Sequence, residues 1–143
     1  MSETLPYFEI HVANQIIHAR MVGKWGGAVD LAYLSELTLS MSQVRALPWA
    51  IFIDMHLCDF TQQIFEQEIR FKAALDRRNQ QMECWLVENP HQGDFLTHFL
   101  EEQNVPLGRF VSPKECQTWL TEKGFQLDMS WLLKSESTTT GSD

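Results

Sequence analysis

Trp49-Ala50-Ile51-Phe52-Ile53-Asp54 is an unbroken apolar run closed by a carboxylate. A strand covered on one face alternates apolar and polar residues; one covered on both faces loses the alternation. The run therefore reads as a central strand with helices packed on either side. The flanking sequence supplies them. Upstream, Asp30 suits an N-cap, Leu34, Leu37, Met41 and Val44 fall on one helical stripe, and Pro48 ends that helix. Downstream, a second helix is predicted from about Thr61 to Arg78, with Thr61 as its cap and Phe60 and Phe65 placed as a hydrophobic staple.

Further out, the pattern repeats. Met82–Val87 is a second buried strand. Asn89-Pro90 opens a third helix, with Pro90 at its first position and Phe95, Leu96, Phe99 and Leu100 on its inner face. Leu107–Val111 is a short last strand. Ser112-Pro113-Lys114-Glu115 then combines an N-cap serine, a proline at the first helical position and a capping-box glutamate, and Gly124 is placed to end the helix that follows. At the start of the chain, Phe8, Ile10 and Val12 alternate, Asn14-Gln15 turns, and Ile16–Lys24 forms the return strand of an antiparallel hairpin before Gly26-Gly27 breaks the pattern. The order is strand, strand, three helix–strand units and a helix. It predicts an α/β fold: one mixed, mostly parallel sheet with an N-terminal antiparallel hairpin strand and four helices. Residues 1–134 form one domain in this reading, including an apolar C-terminal segment from Phe125 to Leu133. Residues 135–143 are a polar Thr/Ser-rich tail expected to be disordered.

Composition narrows the function. The 143 residues carry a net charge of −8, which opposes binding to a phosphate backbone or an anionic membrane surface. Arg70, Lys72, Arg77 and Arg78 are interleaved with Glu66, Glu68 and Asp76, as on a solvated helix face. No apolar run reaches the roughly 20 residues of a membrane span, and Met1-Ser2-Glu3-Thr4 lacks the layout of a secretory signal. A cytoplasmic location is expected. Cys58, Cys84 and Cys116 are odd in number and far apart, so reduced structural thiols are expected. The spacing of the five histidines makes no chelate, and no Gly-Lys-Ser/Thr element follows Gly23, Gly26 and Gly27. Neither a metal nor a cofactor is expected.

The hairpin ending in Met21-Val22-Gly23-Lys24-Trp25, the segment Ile51 to Phe60, the strand Cys84–Val87 and the junction Gly108-Arg109-Phe110-Val111-Ser112-Pro113 together resemble the SpoIIAA-like branch of the STAS fold. This is the domain of bacterial anti-sigma-factor antagonists, and the likeness spans roughly residues 7 to 124. It implies a regulatory, protein-binding role. Phosphorylatable members carry an Asp-Ser-Ser-Gly-type element after the central strand, whereas this chain reads Phe60-Thr61-Gln62-Gln63-Ile64. Thr61 is the one hydroxyl there; a plain N-cap role is the preferred reading and a phosphoacceptor role the alternative.

Asp54 lies where ligands of open α/β sheets gather, at the carboxyl end of a central strand near a topological switch point. The preferred reading, however, is that it caps a neighbouring loop or helix. His56-Leu57-Cys58-Asp59 is the richest cluster for chemistry, but nothing around it marks an oxyanion site, so no catalytic residue is assigned. Asp54, His56 and Thr61 are the candidate regulatory or ligand contacts. Trp25, Leu127, Trp131 and Leu132 are the candidate interface. The leading expectation is a non-catalytic interaction domain that binds a protein or itself; the alternative is a carrier or sensor of a small apolar ligand held between helices and sheet.

Overall fold

The computed structural model describes residues 5–60 and 75–133. β1 (Tyr7–Ala13) and β2 (Ile16–Lys24) pair antiparallel, with Ala13 opposite Ile16. The two-residue turn between them holds Asn14 and Gln15 at φ 55° and 63°, the left-handed pair that matches the twist of a hairpin. Asn accepts this geometry readily; Gln15 is fixed in it by its side-chain amide, which donates to the Val44 and Pro48 carbonyls at 3.0 and 3.2 Å.

α1 (Gly27–Val44) starts three residues before the predicted cap. Gly26 is the N-cap, and Asp30 sits in the first turn, where its carboxylate accepts the Trp25 indole N–H at 3.0 Å. The Gly-Gly pair thus begins the helix, because glycine is tolerated at an N-cap and an acid suits the first turn. Leu34, Leu37, Met41 and Val44 are buried on the predicted stripe. β3 (Trp49–Asp54) is buried at every residue and runs parallel to β2 on one side and to β5 (Gln80–Leu86) on the other. β4 (Cys58–Asp59), a two-residue strand not foreseen in the sequence, pairs with the end of β2.

The predicted helix at 61–78 lies outside the described residues as far as residue 74, Thr61 included, and Leu75–Arg78 are not helical. The helix after β5 starts later than predicted. Residues 90–93 form turns, Gly93 takes φ 83°, and a 3-10 turn (Asp94–Leu96) leads into α2 (Thr97–Glu101). Pro90 therefore lies in the turn, and not at the first helical position. β6 (Leu107–Phe110) and α3 (Pro113–Glu122) follow. Ser112 caps α3 by accepting the N–H groups of Lys114 and Glu115 at 3.1 and 3.4 Å. Residues 129–133 add one helical turn; the tail from 135 lies outside the described residues.

The strand order is β1-β2-β3-β5-β6, with β4 beside β2. From β2 onward the strands are laid down in one direction, so right-handed crossovers place the connecting helices α1 and α2 on the same face. One core accordingly joins α1 and α2 to Ile17, Ala19, Met21, Ile51, Ile53 and Trp85. The other face is covered by α3 and the 125–132 segment, packed on Ile16, Ala50, Phe52, Met82, Cys84 and Leu86. The fold is α/β, a single mixed sheet in which only the hairpin is antiparallel. Among the described residues no helix is long and apolar enough to cross a membrane.

Candidate functional site

Because the strand order never reverses, the sheet has no topological switch point among its described strands. A crevice forms at the carboxyl ends by another route. The chain leaving β3 is drawn sideways so that β4 can pair with β2, while the chain leaving β5 turns through 88–95 toward α2. Between them lies an open cleft of about 730 Å³. One wall is His56, Leu57, Cys58, Asp59 and Phe60; the other runs from Glu88 to Phe95.

Gln92 holds the two walls together. Its amide donates to the carbonyls of Met55 and Cys58 at 2.7 and 2.9 Å, and its side-chain oxygen accepts the Glu88 N–H at 2.7 Å. Arg109 reaches in from β6 to the Gln92 carbonyl at 3.3 Å and to Asp94 at 2.6 Å. This guanidinium keeps the Asp94 carboxyl below its usual range. Leu57 is 53% exposed at the rim, and Phe60 meets Phe95 edge-on with ring centroids 5.3 Å apart.

Asp54 is 2% exposed and ends β3, two residues before His56 on the cleft wall. Its Oδ1 accepts both the His56 ring Nδ1–H at 2.5 Å and the His56 backbone N–H at 3.3 Å. Its Oδ2 lies 3.3 Å from the Arg20 guanidinium, the residue directly opposite on β2. Asp54 therefore does what the capping reading described, fixing the following loop, and it also orients His56 at the cleft wall. Cys58 is buried, with its N–H bonded to the Met55 carbonyl at 2.9 Å. Among the described residues no three His, Cys, Asp or Glu side chains are grouped to hold a metal ion.

Three of the four residues expected at an interface are buried within the chain. Trp25 is 1% exposed and packs edge-on against Tyr33 in the α1 core. Leu127 and Leu132 lie in the opposite core, because the 125–132 segment folds back over the sheet instead of projecting from it. Trp131 is half-buried, stacked on His11 at 5.7 Å and covering Arg20 at 4.8 Å. Arg20 and Gln92 are the site residues that the sequence reading missed. Arg20 had a signal, being a charge on the same face of its strand as Ile16. Gln92 had none, since a glutamine in a polar loop looks like any other.

The Cys84 and Cys116 thiols are fully buried on the α3 side, and Cys84 is held protonated by its hydrogen bond with Cys116 and by burial. No family model, curated protein or solved structure matches the chain.

Proposed function

We propose that this chain is a non-catalytic, STAS-like regulatory domain that works in the cytoplasm by binding a protein partner at the carboxyl-end cleft. The observation that carries the reading is the cleft itself: two connections pinned to each other by Gln92, with Leu57, Phe60 and Phe95 set among polar side chains. A preformed concave surface of mixed character is what recognition requires, and anchor residues in such a site carry most of the binding energy. The resemblance to anti-sigma-factor antagonists supports the same location, since the segment Ile51–Phe60 is part of the likeness.

The chemistry of the site favours binding over turnover. Asp54, behind the His56 wall, is committed to Arg20 and to His56, and Asp94 in the cleft is paired with Arg109. The thiols are shielded from solvent. The interior cavity among the described residues gives the carrier alternative little room. The cavity that Tyr33, Leu37, Trp85, Phe99 and Leu100 line between sheet and helices has a volume of about 30 Å³, room for roughly one or two waters.

The test is retention of a partner by the immobilised full chain, followed by reconstitution of the purified pair. Leu57→Asp should abolish retention without loss of stability, because Leu57 is exposed and leaves no cavity. Trp119→Ala, on the α3 side of the sheet, should retain the partner. Retention that survives Leu57→Asp but fails in the Trp119 variant would place the interface elsewhere and overturn the assignment.

A further inference from the structure

An unbroken set of polar contacts leads from the cleft wall through the sheet to the C-terminal segment. His56 donates to Asp54 Oδ1; Asp54 Oδ2 faces the Arg20 guanidinium; the same Arg20 nitrogen donates to the Leu132 carbonyl; and the Trp131 ring lies over the guanidinium. Arg20 and Asp54 are 6% and 2% exposed, so water does not screen these links.

The geometry at Arg20 is a compromise. Its terminal nitrogen sits 3.3 Å from the Asp54 carboxylate and 3.3 Å from the Leu132 oxygen, where a charge-assisted bond settles at about 2.7–2.9 Å. Its Nε is buried and makes no hydrogen bond. The guanidinium is stretched between two acceptors and satisfies neither fully. Asp54 can share it because His56 supplies two further donors to the same carboxylate. Without them, the whole of the Asp54 charge falls on Arg20, and the balance tips away from Leu132.

We propose that the 127–132 segment is a latch whose docking is governed from the cleft through His56, Asp54 and Arg20. A ligand that engages His56 withdraws it from Asp54. Arg20 then closes on the carboxylate, releases the Leu132 carbonyl and moves from beneath Trp131. The rest of the segment is held by the burial of Leu127 and Leu132 in the second core and by short-range polar contacts. The Asp128 N–H donates to His18 Nε2 at 3.0 Å, Asp128 Oδ2 meets His11 Nε2 at 2.8 Å, and the Leu132 N–H reaches the Asp128 carbonyl at 3.3 Å. Loss of the Arg20 contact therefore frees the Leu132 end of the turn and makes its amides open more often, while Leu127 and Leu132 keep the segment seated on the sheet. The latch deepens the cleft reading above, but the coupling is present in the ligand-free chain and is tested there.

Hydrogen exchange on the full chain reads it. His56→Ala should speed exchange of the Asp128 and Leu132 amides by at least about fivefold, the lower end of ordinary intersite coupling, and leave α1 amides unchanged. His56→Gln, which restores a donor, should bring the rates back toward wild type. In an Arg20→Met background, His56→Ala should have no further effect on these amides. Unchanged rates in His56→Ala would overturn the latch, as would equal acceleration in α1 or an effect that persists without Arg20. The cleft assignment stands or falls separately, on partner loss in Leu57→Asp.

Discussion

Lowering the pH should destabilise this protein through one side chain, His18. It is 0% exposed and uses both ring nitrogens in a single neutral tautomer: Nδ1–H donates to the His11 carbonyl at 3.1 Å, and Nε2 accepts the Asp128 N–H at 3.0 Å. Phe52 and Trp131 pack on it edge-on. Burial dominates and pushes its pKa from 6.5 down to about 4, with the nearby His11 acting in the same direction and the His11 carbonyl and Asp128 opposing it. Between those values the unfolded chain binds a proton that the folded chain refuses. Stability is therefore complete above pH 6.5 and is lost as the pH falls toward 4. The full loss is about 3 kcal/mol, of which roughly 2 kcal/mol has gone by pH 5. A proton on Nε2 would also remove the acceptor for Asp128, so the cost falls on the C-terminal segment.

Urea unfolding followed by circular dichroism at pH 7.5 and pH 5 measures the effect, with His18→Gln as reference. Glutamine does not titrate but can still offer one donor and one acceptor, and every other titrating group is common to both proteins. The wild type should lose about 2 kcal/mol more than His18→Gln over this interval. Curves that fall in parallel, within about 0.5 kcal/mol, would refute the assignment of the buried neutral imidazole. Asp128 does not confuse the result. Ser130 and His11 lower its carboxyl to about 2, so its contribution is lost only as the pH drops below the ordinary aspartate range.

Two further substitutions probe the packing on either face. Gly108→Ala would place a Cβ 2.9 Å from the Phe110 ring and 3.0 Å from the Trp119 ring, which lies against the strand. It should cost about 1–3 kcal/mol, read as a lowered Tm, and an unchanged Tm would show that Trp119 can move aside. Glu83→Ala removes the buried acceptor of Arg77, Gln80 and the Trp85 indole, and should cost about 3–5 kcal/mol because Arg77 loses its counter-charge and keeps only the Gln80 side-chain oxygen; a loss under about 1 kcal/mol in urea unfolding would contradict that.

The central strand was legible at Trp49–Ile53 because burial on both faces erases alternation, and α3 because Ser112-Pro113 carries its own stop and start signals. The boundaries that went astray did so where two rules compete. Gly26-Gly27 looks like a break, yet glycine is also an acceptable N-cap. Pro90 suits a first helical turn, yet here it lies in a turn before Gly93, whose φ of 83° postpones the helix. β4 could not be read at all, since two residues carry no period. Asp54 and His56 were found at the strand end by position alone. Their partner Arg20 is brought to them by the parallel register of β2 with β3, which no local pattern reveals.

The polar residues on the second face of the sheet follow from what covers it. α3 satisfies most of its backbone internally and rests on apolar positions of β5 and β6. Residues 125–128 are irregular and only one helical turn follows at 129–133, and a buried irregular backbone must find its hydrogen bonds outside itself. It finds them on the hairpin side: Asn14 donates to the Gln126 carbonyl at 3.0 Å, His18 accepts from Asp128, and Arg20 donates to Leu132. An apolar surface on β2 would leave these groups unpaired at about 1–3 kcal/mol each, so His18 and Arg20 are there for the segment above them. Asp54 is then required to neutralise Arg20, and His56 to complete Asp54. The polar side chains behind the cleft wall and the docked C-terminal turn are thus one electrostatic unit, assembled because a largely irregular segment helps to close this face of the sheet.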